Sequence, residues 1–209
     1  ILGNGVDFFF VISGFCMYLM TYKVKFSGQG YVRFLYKRFL RIAPAFYLAV
    51  LLYAVIIKYN YQDFAFGYNV FFHLLFLNNV VSGNTISGPF WSIGTEWHFY
   101  LMLPLLIYCS RKFSIVRSVI LFSVASIIFF GLVNFGYFSY GWWEQQIVVR
   151  FPEFGIGIIA ASYFLNGKRL PSIMLGIKGI LIALVIMYIG RLMKFTPVVE
   201  AAGRAGFLL

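Results

Sequence analysis

Apolar runs long enough to cross a bilayer recur along the chain, separated by short connections rich in basic residues. A membrane-spanning α-helix needs about 17–25 predominantly apolar residues. Hydrophobic residues make up 62% of the chain and charged residues only 11%, and the mean hydropathy is +0.87. A soluble domain carries about 25% charged residues because its surface needs them. The sequence therefore predicts an all-α fold, a polytopic bundle of transmembrane helices.

Six spans are predicted, at residues 5–22, 42–57, 91–109, 118–135, 147–165 and 173–190, and the last fifteen residues are interpreted as the start of a seventh. Pro44 stands near the start of the second span, where its missing N–H costs little. Residues 69–77 are apolar but too short to cross, which predicts an interfacial or re-entrant helix. The chain starts at Ile1 and ends in an apolar run, so residues 1–209 are interpreted as one transmembrane domain truncated at both ends.

Basic residues are divided unequally between the two sides that these spans define. The connections 23–41, 110–117 and 166–171 contain eleven, and the opposite side has four. By the positive-inside rule the first set lies in the cytoplasm. A net charge of +11 would favour a nucleic-acid partner in a soluble protein. Here topology explains the charge, so the expected partner is a lipid bilayer and no nucleic acid.

The two cysteines, Cys16 and Cys109, both fall in apolar runs. Free cysteine is among the most often buried residue types. No spacing of cysteine and histidine is typical of a metal site. We therefore expect packing roles for both cysteines, with no disulfide and no metal.

Polar or ionisable side chains within apolar spans are costly at bilayer depth, so each is a candidate functional residue. Asp7 opens the first span and has two interpretations. It is either an N-cap that accepts hydrogen bonds from the first backbone N–H groups, or a functional carboxylate. Ser13, deeper in the same segment, is a further candidate, although its hydroxyl can also bond to a carbonyl of its own helix.

Glu96 is the acidic residue of the third span. Ser92 is interpreted as the N-cap, which places Glu96 just beyond the first turn, where the helix dipole favours negative charge. The functional alternative is a carboxylate that orients a histidine or takes a proton. Tyr100 shares the face of Glu96 at i+4, whereas His98 points away at i+2. Both His98 and His73 are expected to be packing or interface histidines.

Two pairs of charged residues have helical spacing. Arg38 and Arg41 fall on one face at the cytoplasmic boundary, where two guanidinium groups suit a phosphate, and an ordinary positive-inside anchor is the alternative. Arg150 and Glu153, at the start of the fifth span, are further candidates that can pair with each other at i,i+3. The small residues after them permit close helix packing, and they are Gly155, Gly157, Ala160 and Ala161.

Four segments, in this order, resemble the motifs of acyltransferase family 3, a family of bacterial membrane-bound O-acetyltransferases. They are GVDFFFVISGF, KRFLRIAPAFY, WSIGTEWHFYLMLPLL and RFPEFGIGIIAA. The first is similar to the family's second-span signature and the second to its basic Arg-x-x-Arg loop. The third and fourth resemble its Trp-Ser-Leu-x-x-Glu segment and its later Arg-x-x-x-Phe-x-x-Gly span. Each motif is weak alone, so their order and their consistent sides of the membrane carry the resemblance.

The resemblance implies a protein of about ten spans in the bacterial cytoplasmic membrane. It implies transfer of an acyl group, usually acetyl, from cytoplasmic acyl-CoA to a hydroxyl of an extracytoplasmic carbohydrate such as a surface polysaccharide or lipopolysaccharide. Acetyl-CoA is then a donor substrate, and no cofactor is bound permanently. Arg38 and Arg41 match the donor-phosphate motif, and Asp7 and Glu96 match the intramembrane acids. The family's catalytic histidine belongs to a span upstream of the GVD motif, so the fragment alone is expected to be inactive.

Two other classes of membrane protein fit the same intramembrane charges. A transporter or flippase for a lipid-linked sugar would carry them, but it predicts an inverted repeat, which is not seen in the sequence. A non-catalytic membrane subunit is the other alternative. A histidine in a span just upstream of Gly3 would favour the enzyme over both.

Overall fold

The computed structural model describes residues 5–23, 28–60, 66–81, 86–134 and 145–167. Within these ranges the chain forms helices joined by turns and short irregular segments and contains no strand. All of the helices belong to the first of two compact units, residues 1–165. They are α1 (Gly5–Thr21), α2 (Gly28–Asn60), α3 (Phe66–Leu74), a 3₁₀ turn (Gly88–Phe90), α4 (Trp91–Phe113), α5 (Ile115–Asn134) and α6 (Ile147–Leu165).

Three of the described helices are long and apolar enough to cross a membrane, namely α2, α5 over Ile115–Leu132, and α6. Helix α1 is also apolar and has 17 residues, and α4 has 23 residues with Glu96 in its first half. The predicted all-α fold is confirmed. The predicted span at 173–190 and the start of a seventh span lie outside the described residues.

The loop predicted at residues 23–41 is wrong from Gly28 onward, because α2 begins there and continues to Asn60. Its 33 residues extend over about 50 Å, well beyond the ~30 Å of a bilayer core. Lysine and arginine are good helix formers, so a basic segment lengthens a helix without adding to the apolar run. Pro44 consequently lies inside α2 and not near its start.

The basic connection predicted at 110–117 is also helical, apart from Ser114. Helix α4 ends at Phe113 and α5 begins at Ile115, and Arg111 and Lys112 occupy the last turn of α4. Ser114 has a φ of 73°, in the left-handed region that right-handed helices exclude. A single residue therefore ends one helix and lets the next begin.

Helices α1 and α6 approach each other closely because glycine lies at their contact. A Cβ atom at Gly14 or at Gly157 would collide with the backbone of the other helix. Small residues allow such approach between membrane helices, as predicted for the small residues of α6. Beside this contact, the ring of Phe154 stacks on Phe10 with centroids 4.6 Å apart and on Phe99 with centroids 4.1 Å apart.

A second hydrophobic core joins α2 and α3. The bounds of α3 are within three residues of the short apolar helix predicted at 69–77. Val70 of α3 is buried with Val50 and Ala54 of α2. The ring of Phe76 stacks on Trp97 of α4 at 5.0 Å, which connects this core to α4. Helices α1, α2 and α4 together line the cavity that contains the candidate site.

Candidate active site

The carboxylate of Glu96 is held by two hydroxyl groups. Glu96 is the sixth residue of α4 and only 7% exposed. The Ser13 hydroxyl donates to its Oε1 at 3.0 Å, and the Tyr100 hydroxyl donates to the same oxygen. Within the described ranges, no ion pair involves Glu96, and its Oε2 accepts no hydrogen bond. One oxygen is thus fixed and the other is available.

The contact with Tyr100 was predicted from its i+4 position, and Ser13 was a candidate functional residue with a bond inside its own helix as the alternative. The Ser13 hydroxyl reaches α4 instead of bonding within α1. Ser92 is not an N-cap, because the 3₁₀ turn leads directly into α4 and makes Ser92 its second residue. The Ser92 hydroxyl therefore donates back to the Pro89 carbonyl at 2.9 Å. The effect of the helix dipole on charge is confined to the first turn. Glu96, the sixth residue of α4, lies beyond that turn.

Arg38 and Arg41 line the same cavity as Glu96, on the single helical face that their spacing predicts. The cavity has a volume of about 610 Å³. The Arg38 guanidinium donates to the Met20 sulfur at 2.8 Å. It also lies over the rings of Phe34 and Tyr100, 5.5 and 5.8 Å from their centroids. Arg38 is therefore held in place by apolar groups, with no carboxylate among these contacts.

The cavity has two chemically different ends. On α1 its lining runs from Phe9 to Met20, a rise of about 16 Å, with Ser13 between them. Met20 contacts Arg38, so the arginine pair marks one end. Phe9, Pro89 and Phe90 line the other end. Glu96 lies between a cationic end and an uncharged aromatic end.

The packing role expected for Cys16 is wrong. Cys16 is exposed and lines the cavity beyond Ser13, because the face of α1 that carries Ser13 is turned toward the cavity. Cys109 is half-buried, and both thiols are free. Among the described residues, no group of histidine, cysteine and acidic side chains is arranged to hold a metal ion.

A second charged cluster lies where α1 and α6 begin. Arg150 is 3.3 Å from Asp7 and 3.1 Å from Glu153, and its guanidinium lies 5.3 Å from the centroid of the Trp91 ring. The i,i+3 pair was predicted, but the link to Asp7 was not. Asp7 is not an N-cap, since α1 already begins at Gly5. The structure brings Asp7, Arg150 and Glu153 together, and none of them lines the cavity of Glu96.

Both histidines lie where packing explains them. His73 is fully buried. Its Nδ1 lies 2.7 Å from the Asn69 carbonyl, and its Nε2 accepts the Ile86 N–H at 3.3 Å, which fits a neutral ring with the proton on Nδ1. Burial lowers the pKa of His73 below its usual range. His98 is half-buried and makes no hydrogen bond to Glu96 among those described, as the i+2 geometry predicts.

A buried amide cluster beside Glu96 was missed by the sequence reasoning. The Asn79 side chain donates to the Thr95 hydroxyl at 3.0 Å, and the Gln146 amide donates to the Asn79 carbonyl. A Cβ at Gly94 would lie 2.8–2.9 Å from the amide oxygens of Asn79 and Asn78. The only signal was an Asn-Asn pair in an apolar run. The cluster joins three segments next to Glu96 and so fixes the start of α4.

Known protein families and proteins share parts of this sequence. The family model of acyltransferase family 3, described as an acyltransferase domain, matches residues 1–200. An uncharacterized protein of Haemophilus influenzae is 29% identical over 184 residues, 76% of this chain and 74% of that protein. A protein of Acidianus two-tailed virus, named a putative acetyltransferase, is 29% identical over 143 residues. That match covers 65% of this chain but only 41% of the viral protein. No solved structure matches the chain.

Proposed function

The chain belongs to acyltransferase family 3, and from this premise we propose that it transfers an acetyl group from cytoplasmic acetyl-CoA to a hydroxyl of an extracytoplasmic carbohydrate. The observation that carries the proposal is the cavity that brings Glu96 and the Arg38–Arg41 pair together. Its volume of about 610 Å³ lies within the range of about 300–1,000 Å³ for small-molecule sites.

The donor binds with its phosphates on Arg38 and Arg41. Two guanidinium groups on one face form charge-assisted hydrogen bonds to phosphate oxygens. Arg38 contacts a sulfur and two rings and forms no salt bridge among the described residues. Its positive charge attracts the Glu96 carboxylate only at longer range. From this end, the thin pantetheine arm of the donor follows α1 along a cavity about 16 Å long toward Glu96.

Glu96 serves the proton transfer. An alcohol is a poor nucleophile at neutral pH, so a base must take its proton as its oxygen attacks the thioester carbonyl. The free Oε2 of Glu96 either takes that proton or stabilises the imidazolium of the histidine that the family resemblance implies upstream. A C–O ester bond then forms, the C–S bond breaks, and CoA leaves as the thiol after receiving the proton.

The charge distribution supports one orientation in the membrane. We propose that the protein lies in the bacterial cytoplasmic membrane with the arginine end of the cavity toward the cytoplasm, because residues 23–41 are rich in basic side chains. A Ser27→Cys variant tests this placement in intact cells. A membrane-impermeant thiol reagent added outside should leave that cysteine unlabelled, and labelling would reverse the orientation.

The transfer itself is tested with radiolabelled acetyl-CoA and inverted membrane vesicles containing the full-length protein. We expect base-labile label on carbohydrate with the wild type and with His98→Gln, which changes a side chain turned away from Glu96. Glu96→Gln should give a yield at least about 100-fold lower at equal expression. Label that never reaches carbohydrate, or equal transfer by Glu96→Gln, would contradict the proposal.

A further inference from the structure

The uncharged end of the cavity has a fixed shape. The Phe90 ring is surrounded by Phe46, Tyr53 and His73, with centroids 5.5, 5.4 and 6.0 Å away. Across the cavity, the Phe9 side chain on α1 is 38% exposed. No charged side chain lines this end among the described residues, since the charged lining residues are Arg38, Arg41 and Glu96. The end is therefore suited to a neutral ligand with an apolar face.

A hydrogen-bond acceptor lies between the rings and Glu96. The Ser92 hydroxyl donates its only proton to the Pro89 carbonyl, so its lone pairs are left to accept a proton from a ligand hydroxyl. Ser92 lines the cavity and is 9% exposed. Glu96 is one turn farther along α4, about 6 Å along the helix axis. A ligand with hydroxyl groups at both ends of one ring matches this spacing.

We propose that Phe9, Phe90 and Ser92 form the acceptor subsite, which binds a neutral pyranose ring by its C–H face. One ring hydroxyl donates to Ser92, and another is directed at the free Oε2 of Glu96. This inference rests on the proposed function and assigns the acceptor to the end of the cavity opposite the donor phosphates. Donor and acceptor then occupy the cavity at the same time, and transfer proceeds through a ternary complex.

Two cysteine reporters measure ligand binding at each end of the cavity separately, and neither measurement requires turnover. Native Cys16 lies on the arginine side of Ser13 along α1, and in a Cys109→Ser background it is the reporter of the donor end. An Ala49→Cys substitution, made with both native cysteines replaced by serine, reports the other end. Ala49 lines the cavity one turn beyond Phe46, whose ring contacts Phe90. Alkylation by N-ethylmaleimide is timed for each reporter in the full-length protein.

The probes are desulfo-CoA and the methyl pyranosides of glucose, galactose, mannose and N-acetylglucosamine, each tested separately. We expect desulfo-CoA to slow alkylation of Cys16 and at least one pyranoside to slow alkylation of the cysteine at position 49. Phe9→Leu and Phe90→Leu should raise the apparent Kd of that pyranoside roughly three- to tenfold. Protection of Cys16 by desulfo-CoA should not change in either variant.

A control variant outside the cavity tests whether the loss of protection is specific to the two rings. Phe71→Leu alters an exposed ring of α3 outside the cavity lining and should leave both protections intact. If Phe90→Leu does not fold, Phe9→Leu decides, because its ring is partly exposed. Failure of every pyranoside to protect, or equal protection in the leucine variants, overturns the acceptor subsite. Failure of desulfo-CoA to protect Cys16 contradicts the donor site of the proposed function instead.

Discussion

Two acidic sites in this protein are built in opposite ways. In the first, Asp7 and Glu153 share the guanidinium of Arg150 where α1 and α6 begin. In the second, Glu96 accepts hydrogen bonds from two neutral hydroxyls on the wall of a cavity. Both solve the problem of placing a carboxylate among apolar helices, which is costly unless the group is paired or hydrogen-bonded.

The difference favours Glu96 over Asp7 and Glu153 as the proposed reactive acid. An arginine shared by two carboxylates neutralises charge and joins two helices. The second oxygen of Glu153 is buried with no hydrogen-bond partner among the described residues, but none of these three residues lines the cavity. Hydroxyl donors hold one oxygen of Glu96 in position, while the other oxygen keeps its lone pairs for a proton. The first cluster is therefore interpreted as a structural clasp, and the second as the reactive centre.

Among the residues that support the two acidic sites, the largest effect is expected from the hydroxyls around Glu96. Ser13→Ala and Tyr100→Phe each remove a hydrogen bond to a charged group, worth about 1.5–3 kcal/mol. If Glu96 must be held for proton transfer, kcat should fall roughly 10–100-fold in each variant. Steady-state kinetics at equal amounts of folded protein measure this. Tyr108→Phe changes an exposed tyrosine of the same helix and serves as the control, and unchanged kcat in both test variants would count against the role of Glu96.

The next effect is on the stability of the contact between α1 and α6. If glycine packing dominates over the clasp, Gly157→Ala should destabilise the protein by about 1–3 kcal/mol, because a Cβ there meets backbone that cannot move aside. Gly131→Ala is the matched control, since nothing lies within 4 Å of a Cβ at Gly131. It should be neutral or stabilising by up to about 1 kcal/mol. Unfolding in mixed detergent distinguishes the two, and equal stability of the variants would refute close packing at Gly157.

A smaller effect is expected at the cationic end of the cavity. Arg38→Ala or Arg41→Ala removes a charge-assisted contact to the donor, which should raise the KM for acetyl-CoA roughly tenfold with little change in insertion. Lys37→Ala removes an exposed charge from the same helix outside the cavity lining and should have no such effect. An unchanged donor KM in both arginine variants would favour simple positive-inside anchors.

The smallest effect is expected from the clasp. Asp7→Asn breaks an ion pair whose side chains are 18% and 37% exposed, so solvent screening limits the loss of stability to about 1 kcal/mol or less. Turnover per folded molecule should stay within roughly threefold of the wild type. A loss of turnover without a loss of stability would move Asp7 from the clasp to the reactive centre.

Much of this arrangement follows from the sequence, because bilayer length and helical periodicity are local properties. Three predicted pairs each lie within a single helix. They are Tyr100 with Glu96 in α4, Arg38 with Arg41 in α2, and Arg150 with Glu153 in α6. Residue spacing alone therefore predicts them. Apolar run length likewise places α6 at its observed boundaries.

The contacts between helices could not be predicted in this way. Ser13 meets Glu96 across 83 residues, and Asp7 meets Arg150 across 143, since tertiary packing decides which faces are turned toward each other. The basic start of α2 was assigned to a loop because hydropathy reports lipid contact and not helicity. The Asn78–Asn79 pair in an apolar run could not identify its own partners, since they lie on other segments.

The role of Glu96 as the reactive acid is tested most simply by two conservative substitutions, Glu96→Gln and Glu153→Gln, compared in one assay of acetyl transfer per folded molecule. Both replace a poorly exposed carboxylate on an apolar helix with an amide of the same shape. We expect transfer to fall at least about 100-fold in Glu96→Gln and to stay within roughly threefold of the wild type in Glu153→Gln. Equal losses in both variants, or a larger loss for Glu153→Gln, would contradict the assignment of Glu96 as the reactive acid.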